Sequence, residues 1–140
     1  FFERYRGYAE ALVQAGIPPD PALQIDAITT EQAGHEAMQR LLTQGATCDA
    51  VFGASDLIAI GAMRAIQERG LKVPDDIAVV GFDNIPMANF VSPGLTTVLQ
   101  DTKQAGELLV KTLIHQINNE PVTSSMLPAS AIACSPACQT

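Results

Sequence analysis

Three apolar runs in this chain stop at polar residues: Thr29 after Leu23–Ile28, Ser55 and Asp56 after Ala50–Ala54, and Asp83 and Asn84 after Ile77–Phe82. Brought to one rim, such hydroxyls and carboxylates suit a ligand rich in hydroxyl groups, because an ionised carboxylate accepts hydrogen bonds from neighbouring hydroxyls. Arg4, near the chain start, adds a planar fork of donors. Each residue also has a plainer role. Thr29 and Ser55 are natural helix caps. Asp56 favours a helix N-terminus, Asp83 suits a turn, and Arg4 on a helix surface suits solvent.

Covalent chemistry has little to stand on. Gly53-Ala54-Ser55-Asp56-Leu57 resembles a nucleophile elbow at a strand-to-helix junction, but Leu57 replaces the last glycine. A serine nucleophile also needs a base, and both histidines, His35 and His115, fall on expected helices. Cys134 and Cys138 form a C-x3-C pair with no neighbouring histidine and no second pair, short of the about four ligands of a zinc site. With Cys48 they read as reduced thiols. No P-loop and no G-x-G-x-x-G is present. The expectation is therefore a binding module: not an enzyme, with no cofactor and no metal.

Positioning these residues requires a parallel sheet. Val73-Pro74-Asp75-Asp76 supplies turn chemistry ahead of Ile77–Phe82, an apolar run without polar alternation. Such a run fits a strand covered on both faces, ending at Asp83. Parallel strands present their carboxyl ends to one crevice, where ligands bind. Around this strand the expected order is a helix to Ala15, a strand Leu23–Ile28, and a helix from a Thr29–Gln32 capping box to Gln44. Then come a strand Ala50–Ala54, a helix Asp56–Arg69 capped by Ser55, the strand to Phe82, and a strand Leu95–Leu99. A long helix to Ile117, opened by Asp101 and Gln104, and a last strand within Ser125–Cys134 complete the series. Phe1, Tyr5, Tyr8 and Leu12 share one face of the first helix. The third helix is apolar all round its first half, so it needs cover beyond the sheet, from a neighbouring element or a second subunit. The fold class is α/β: an open, mostly parallel sheet flanked by helices.

The 140 residues, 47% hydrophobic and 16% charged, suffice for one core. A formal charge of −7 without a basic cluster argues against this stretch gripping nucleic acid itself. Nothing reads as a signal peptide or a bilayer-spanning run. A start at Phe1, with a helix first, suggests a piece of a longer protein whose first strand is absent.

Several motifs, taken together, resemble the effector-binding region of the lactose-repressor/galactose-repressor (LacI) family of bacterial transcription regulators. They are Arg4-Tyr5-Arg6-Gly7-Tyr8, Cys48–Phe52, Ser55–Ala62, the long segment Gly70–Asn84, and Pro93–Val98. The resemblance implies one lobe of a two-lobed, periplasmic-binding-protein-like type I fold, with a small ligand between lobes. Residues 1–100 would be the C-terminal effector-binding lobe, 101–120 a helix returning to the absent N-terminal lobe, and 121–140 the last strand and tail. It implies ligand contacts at Arg4, Thr29, Ser55, Asp83 and Thr102. Thr29 stands where members often carry an aromatic ring, Ser55 where asparagine is frequent, and Cys134 where arginine is usual. Dimer contacts are implied at Thr30, Gly34, Ala59, Ile60, Met63, Met87 and Phe90. The expected function is effector sensing in a cytoplasmic, homodimeric regulator that meets DNA only through an absent helix-turn-helix domain. The effector is a sugar or sugar-like metabolite, and no membrane is involved. The competing expectation is a periplasmic sugar-binding protein of an ABC transporter.

Overall fold

A computed structural model of the chain describes residues 2–124, 127 and 131–133. Helix α1, Phe2–Gln14, comes first, and Tyr8 on it stacks on Phe52 with ring centroids 5.7 Å apart. Phe1, expected on the same face, lies outside the described residues. A short 3-10 turn, Pro21–Leu23, follows, with the Asp20 carboxylate accepting from the Ala22 N–H at 2.9 Å.

Leu23–Ile28, expected as a strand, is not one. Leu23 closes the 3-10 turn, and Gln24–Ile28 joins no ladder. Gln24 has extended dihedrals, but a strand also needs a neighbour with which to exchange backbone hydrogen bonds. Instead, Gln24–Ala27 and Ala50–Ala54 line a shared apolar groove of about 370 Å³, together with Tyr5, Tyr8, Met38 and Leu41.

Helix α2 spans Glu31–Thr43. Its N-cap is Thr30, one residue beyond the expected Thr29. Thr30 holds the extended cap conformation, and its hydroxyl accepts from the Ala33 N–H at 3.1 Å. Strand β1, Ala50–Phe52, leads into helix α3, Asp56–Glu68, capped by Ser55. Asp76 then closes a turn by accepting from the Lys72 N–H at 2.7 Å, and strand β2, Ala78–Asp83, follows. A second 3-10 turn, Pro86–Asn89, connects to strand β3, Thr96–Leu99. Helix α4, Thr102–Ile117, starts where Asp101 accepts from the Gln104 N–H at 2.8 Å.

The sheet order is β1-β2-β3-β4, with β4 spanning Ala131–Ala133. The β1–β2 and β2–β3 pairs are parallel, and β4 runs antiparallel to β3. This last strand falls inside the expected Ser125–Cys134, while Cys134 and Cys138 lie outside the described residues.

The apolar girth of α3 is covered from within the chain. One side meets the sheet and the other meets α2 at backbone distance. A Cβ on Gly34 would fall 2.2 Å from the Ile58 carbonyl oxygen, and one on Gly61 would fall 2.0 Å from that of Glu31. On the sheet side, Gly53 leaves room for Ala59. The core is accordingly centred on α3, with Ala59, Ala62, Met63, Ala65 and Ile66 packed with Met38, Ile77, Val79 and Leu95. By contrast, α4 buries none of its residues. Among the described residues no helix is long and apolar enough to cross a membrane.

Candidate functional site

Parallel register decides what meets at the end of the sheet. Asp83 is paired with Leu99, so Gln100, the next residue along, emerges beside it. Phe52 is paired with Val80, so Ala54 leaves β1 close to the level of Phe82. The side chain of Arg4 reaches across these ends from α1. It donates from Nη1 to the Ala54 carbonyl at 2.6 Å and from Nη2 to Asp83 Oδ1 at 2.7 Å. Its guanidinium lies over the Phe82 ring, 4.0 Å from the centroid, in cation–π contact. Gln100 donates to the same Asp83 oxygen at 2.6 Å. Arg4 and Asp83 keep 22% and 30% of their side-chain surface, so the pair is shielded yet open to a ligand. Arg4, Phe82, Gln100, Thr102 and Ala105 line a cleft of about 260 Å³.

The backbone at this site is unusual. Asp83 has φ of 114° and Asn84 has φ of 54°, positive values uncommon outside glycine, although Asp and Asn adopt them more readily than most residues. Below them lies a buried polar group. Asp56 and Thr97 are each 0% exposed. The Thr97 hydroxyl donates to Asp56 Oδ1 and accepts from the Asn84 N–H at 3.2 Å. Asp56 Oδ2 accepts from the Ile85 N–H at 2.8 Å.

Of the expected ligand residues, Arg4 and Asp83 are brought into contact, and Thr102 lines the cleft that Arg4 also lines. Ser55 is next to Ala54 on the same rim, but it is 1% exposed and its hydroxyl accepts from the Ile58 N–H at 3.4 Å as the cap of α3. Thr29 is an exposed bend residue, and no described contact joins it to Arg4 or Asp83. The hydrolytic pattern around Ser55 has no described base beside it: His35 pairs with Glu68 at 2.7 Å, and His115 pairs with Glu120. Among the described residues, no group of three or more His, Cys, Asp or Glu is arranged to hold a metal.

The positions expected at a dimer contact divide. Gly34, Ala59, Ile60 and Met63 are buried in this chain's own core, whereas Thr30, Met87 and Phe90 are exposed, Phe90 to 86%. Sequence reasoning missed Gln100 and Phe82 as members of the site. Their signal was available only through register, because each stands beside a predicted strand end. It also missed that Asp56 is wholly buried, which its place at a helix start did not reveal.

Comparison with known proteins identifies the family. The family described as periplasmic binding protein-like domain matches residues 2–132. The ribose operon repressor of Haemophilus influenzae is 40% identical over 116 residues, 83% of this chain and 35% of that protein. The repressor CytR of Escherichia coli is 39% identical over 121 residues, 86% of this chain and 36% of that protein. The structure of the regulator CelR in complex with cellobiose matches with a TM-score of 0.83 at 38% identity, covering 86% of this chain and 37% of that one. A dimeric Lac repressor matches with a TM-score of 0.84 at 30% identity, covering 94% and 48%. The chain thus spans about a third of the length of these curated relatives. It belongs to the periplasmic binding protein-like domain family, in the form carried by the LacI-type transcription regulators.

Proposed function

We propose that this chain is the effector-sensing lobe of a cytoplasmic, dimeric transcription regulator whose ligand is a sugar or sugar-like metabolite. The observation that carries the reading is the Arg4–Asp83–Gln100 cluster at the strand ends. It offers charged donors and acceptors beside a cleft that Arg4 and Gln100 line, with no net charge on the Arg4–Asp83 pair, which suits a neutral, hydroxyl-rich ligand. The relatives, named as repressors and regulators, support this over the transport reading. Of the matched structures, that of CelR is a complex with cellobiose and that of the Lac repressor is dimeric.

The mechanism proposed is differential binding without covalent chemistry. A ligand held between two lobes favours one inter-lobe arrangement and biases a two-state dimer by its difference in affinity for the two states. The dimer in turn sets the spacing of two DNA-binding heads, which must match half-sites about one helical turn apart. On this reading α4 packs on the second lobe, and the groove beside β1 takes a further strand of the whole protein.

Asp83→Ala in the full-length regulator is the direct test. Operator affinity by fluorescence anisotropy should stay near wild type, while the effector response falls by at least about tenfold, as expected for loss of a charge-assisted hydrogen-bond partner. Normal effector titration by the variant rejects the site. The lobe alone supplies one wall of the cleft, so calorimetry on the isolated chain should show weak sugar binding.

A further inference from the structure

Asp56 has no exposed surface, so it meets no ligand. It is nonetheless a carboxylate bonded to the segment that follows Asp83, and its hydrogen bonds point to what it does. One oxygen takes the Ile85 N–H at 2.8 Å. The other takes the hydroxyl of Thr97, and that hydroxyl takes the Asn84 N–H at 3.2 Å. Two successive amides after Asp83 are therefore tied, directly or through one hydroxyl, to the first turn of α3. These are the amides that follow the left-handed dihedrals at Asp83 and Asn84. A backbone in that region persists only where its surroundings over-determine it. The chain also clears space for the carboxylate. Gly81 lies so close that a Cβ there would fall 2.3 Å from Asp56 Oδ1. The N-terminus of α3 further favours a negative charge at this position.

We propose that Asp56 is the positioning residue of the effector site, holding Asp83 and Asn84 in the left-handed turn that directs the Asp83 carboxylate to Arg4 and Gln100. This rests on the reading of Asp83 as a ligand contact. Thr97 is the relay in the arrangement, and Gly81 is the residue that admits it. Releasing Asp56 lets Asp83 return to an ordinary extended conformation, which swings its carboxylate away from Arg4.

The test uses the full-length regulator and two near-isosteric variants, Asp56→Asn and Thr97→Val, so that one informs if the other fails to fold. Crystal structures of the variants should show Asp83 outside the left-handed region and parted from Arg4, with the α2–α3 packing unchanged. Asp83 retaining φ near 114° and its contact with Arg4 in both variants overturns the proposal. Affinity is read in parallel with D-ribose and cellobiose as probes, in wild type, D56N, D83N and the double variant. For a probe that binds, D56N should weaken affinity by about tenfold and add little once Asp83 has been replaced. A purely structural Asp56 would instead give equal losses in both backgrounds, which also overturns it. If D83N leaves sugar binding unchanged, the ligand reading of Asp83 fails, and the crystal structures still decide the role of Asp56.

Discussion

Asp83 and Glu68 are both carboxylates held by a cation, and their surroundings give them different work. Asp83 is partly shielded and bonded to Arg4 and Gln100 at the strand ends, above a buried network that holds the next two amides. Glu68 stands on the surface near the end of α3, where it meets His35 of α2 at 2.7 Å and Arg64 at 3.1 Å. The hydrogen bond from His35, followed by that from Arg64, holds its carboxyl below the ordinary value of 4.5. A carboxylate depressed in the folded state stabilises the fold fully above its unfolded value, and that stability disappears as pH falls through the folded value. Glu68→Gln should therefore lower the melting temperature at pH 7, and the gap from wild type should close below about pH 4. The shift should be no more than a few degrees, because exposed pairs are weak. Melting curves from pH 3 to pH 7 check both sign and size. A gap that widens in acid contradicts the assignment.

At the scale of elements, the contact between α2 and α3 decides whether the sheet has a cover. Gly34 and Gly61 face backbone atoms of the opposite helix at distances that admit no methyl group. Gly34→Ala should thus push the helices apart and destabilise the chain by about 1–3 kcal/mol or more, as overpacking does. Gly61→Ala should do the same, and the double variant should cost less than the sum, since helices separated for one methyl already admit part of the next. Urea denaturation of the four proteins measures this. Additive losses would mean that the two contacts yield independently. The sequence pattern showed the first half of α3 to be apolar all round but left its cover open between a neighbouring element and a second subunit, because close approach depends on where glycines of two helices coincide. Helix boundaries and the run ending at Asp83 were legible, since capping and periodicity are local. Leu23–Ile28 misled for the opposite reason: its alternation fits a strand, but pairing depends on a distant partner. The cluster around Asp83 was half legible. Arg4 and Asp83 came from residue type and resemblance, while Gln100 and the buried Asp56–Thr97 bond required register.

The whole molecule is asymmetric in how it is covered. The α3 side is packed, while α4 presents Leu109, Val110, Leu113, Ile114 and Ile117 to solvent, each more than half exposed. These five lie on two adjacent i, i+4 rows and form one apolar stripe. A helix of this length draws most of its stability in water from packing such a face. The start of α4 is also tied to the site, since Gln100 and the cap Asp101 immediately precede it and Gln100 bonds Asp83. If the stripe packs on a second lobe, docking of α4 also fixes one donor of the effector cluster. Replacing Leu109, Leu113 and Ile117 by glutamate should then act in opposite ways in two contexts. In the isolated chain, sedimentation velocity should show less self-association, with melting of the α3 core unchanged. In the full-length regulator, the same triple variant should weaken the effector response by about tenfold, comparable to losing a hydrogen bond to a charged group, while operator binding persists. A full-length variant with a normal response would show that the stripe and the cleft are not coupled through the start of α4.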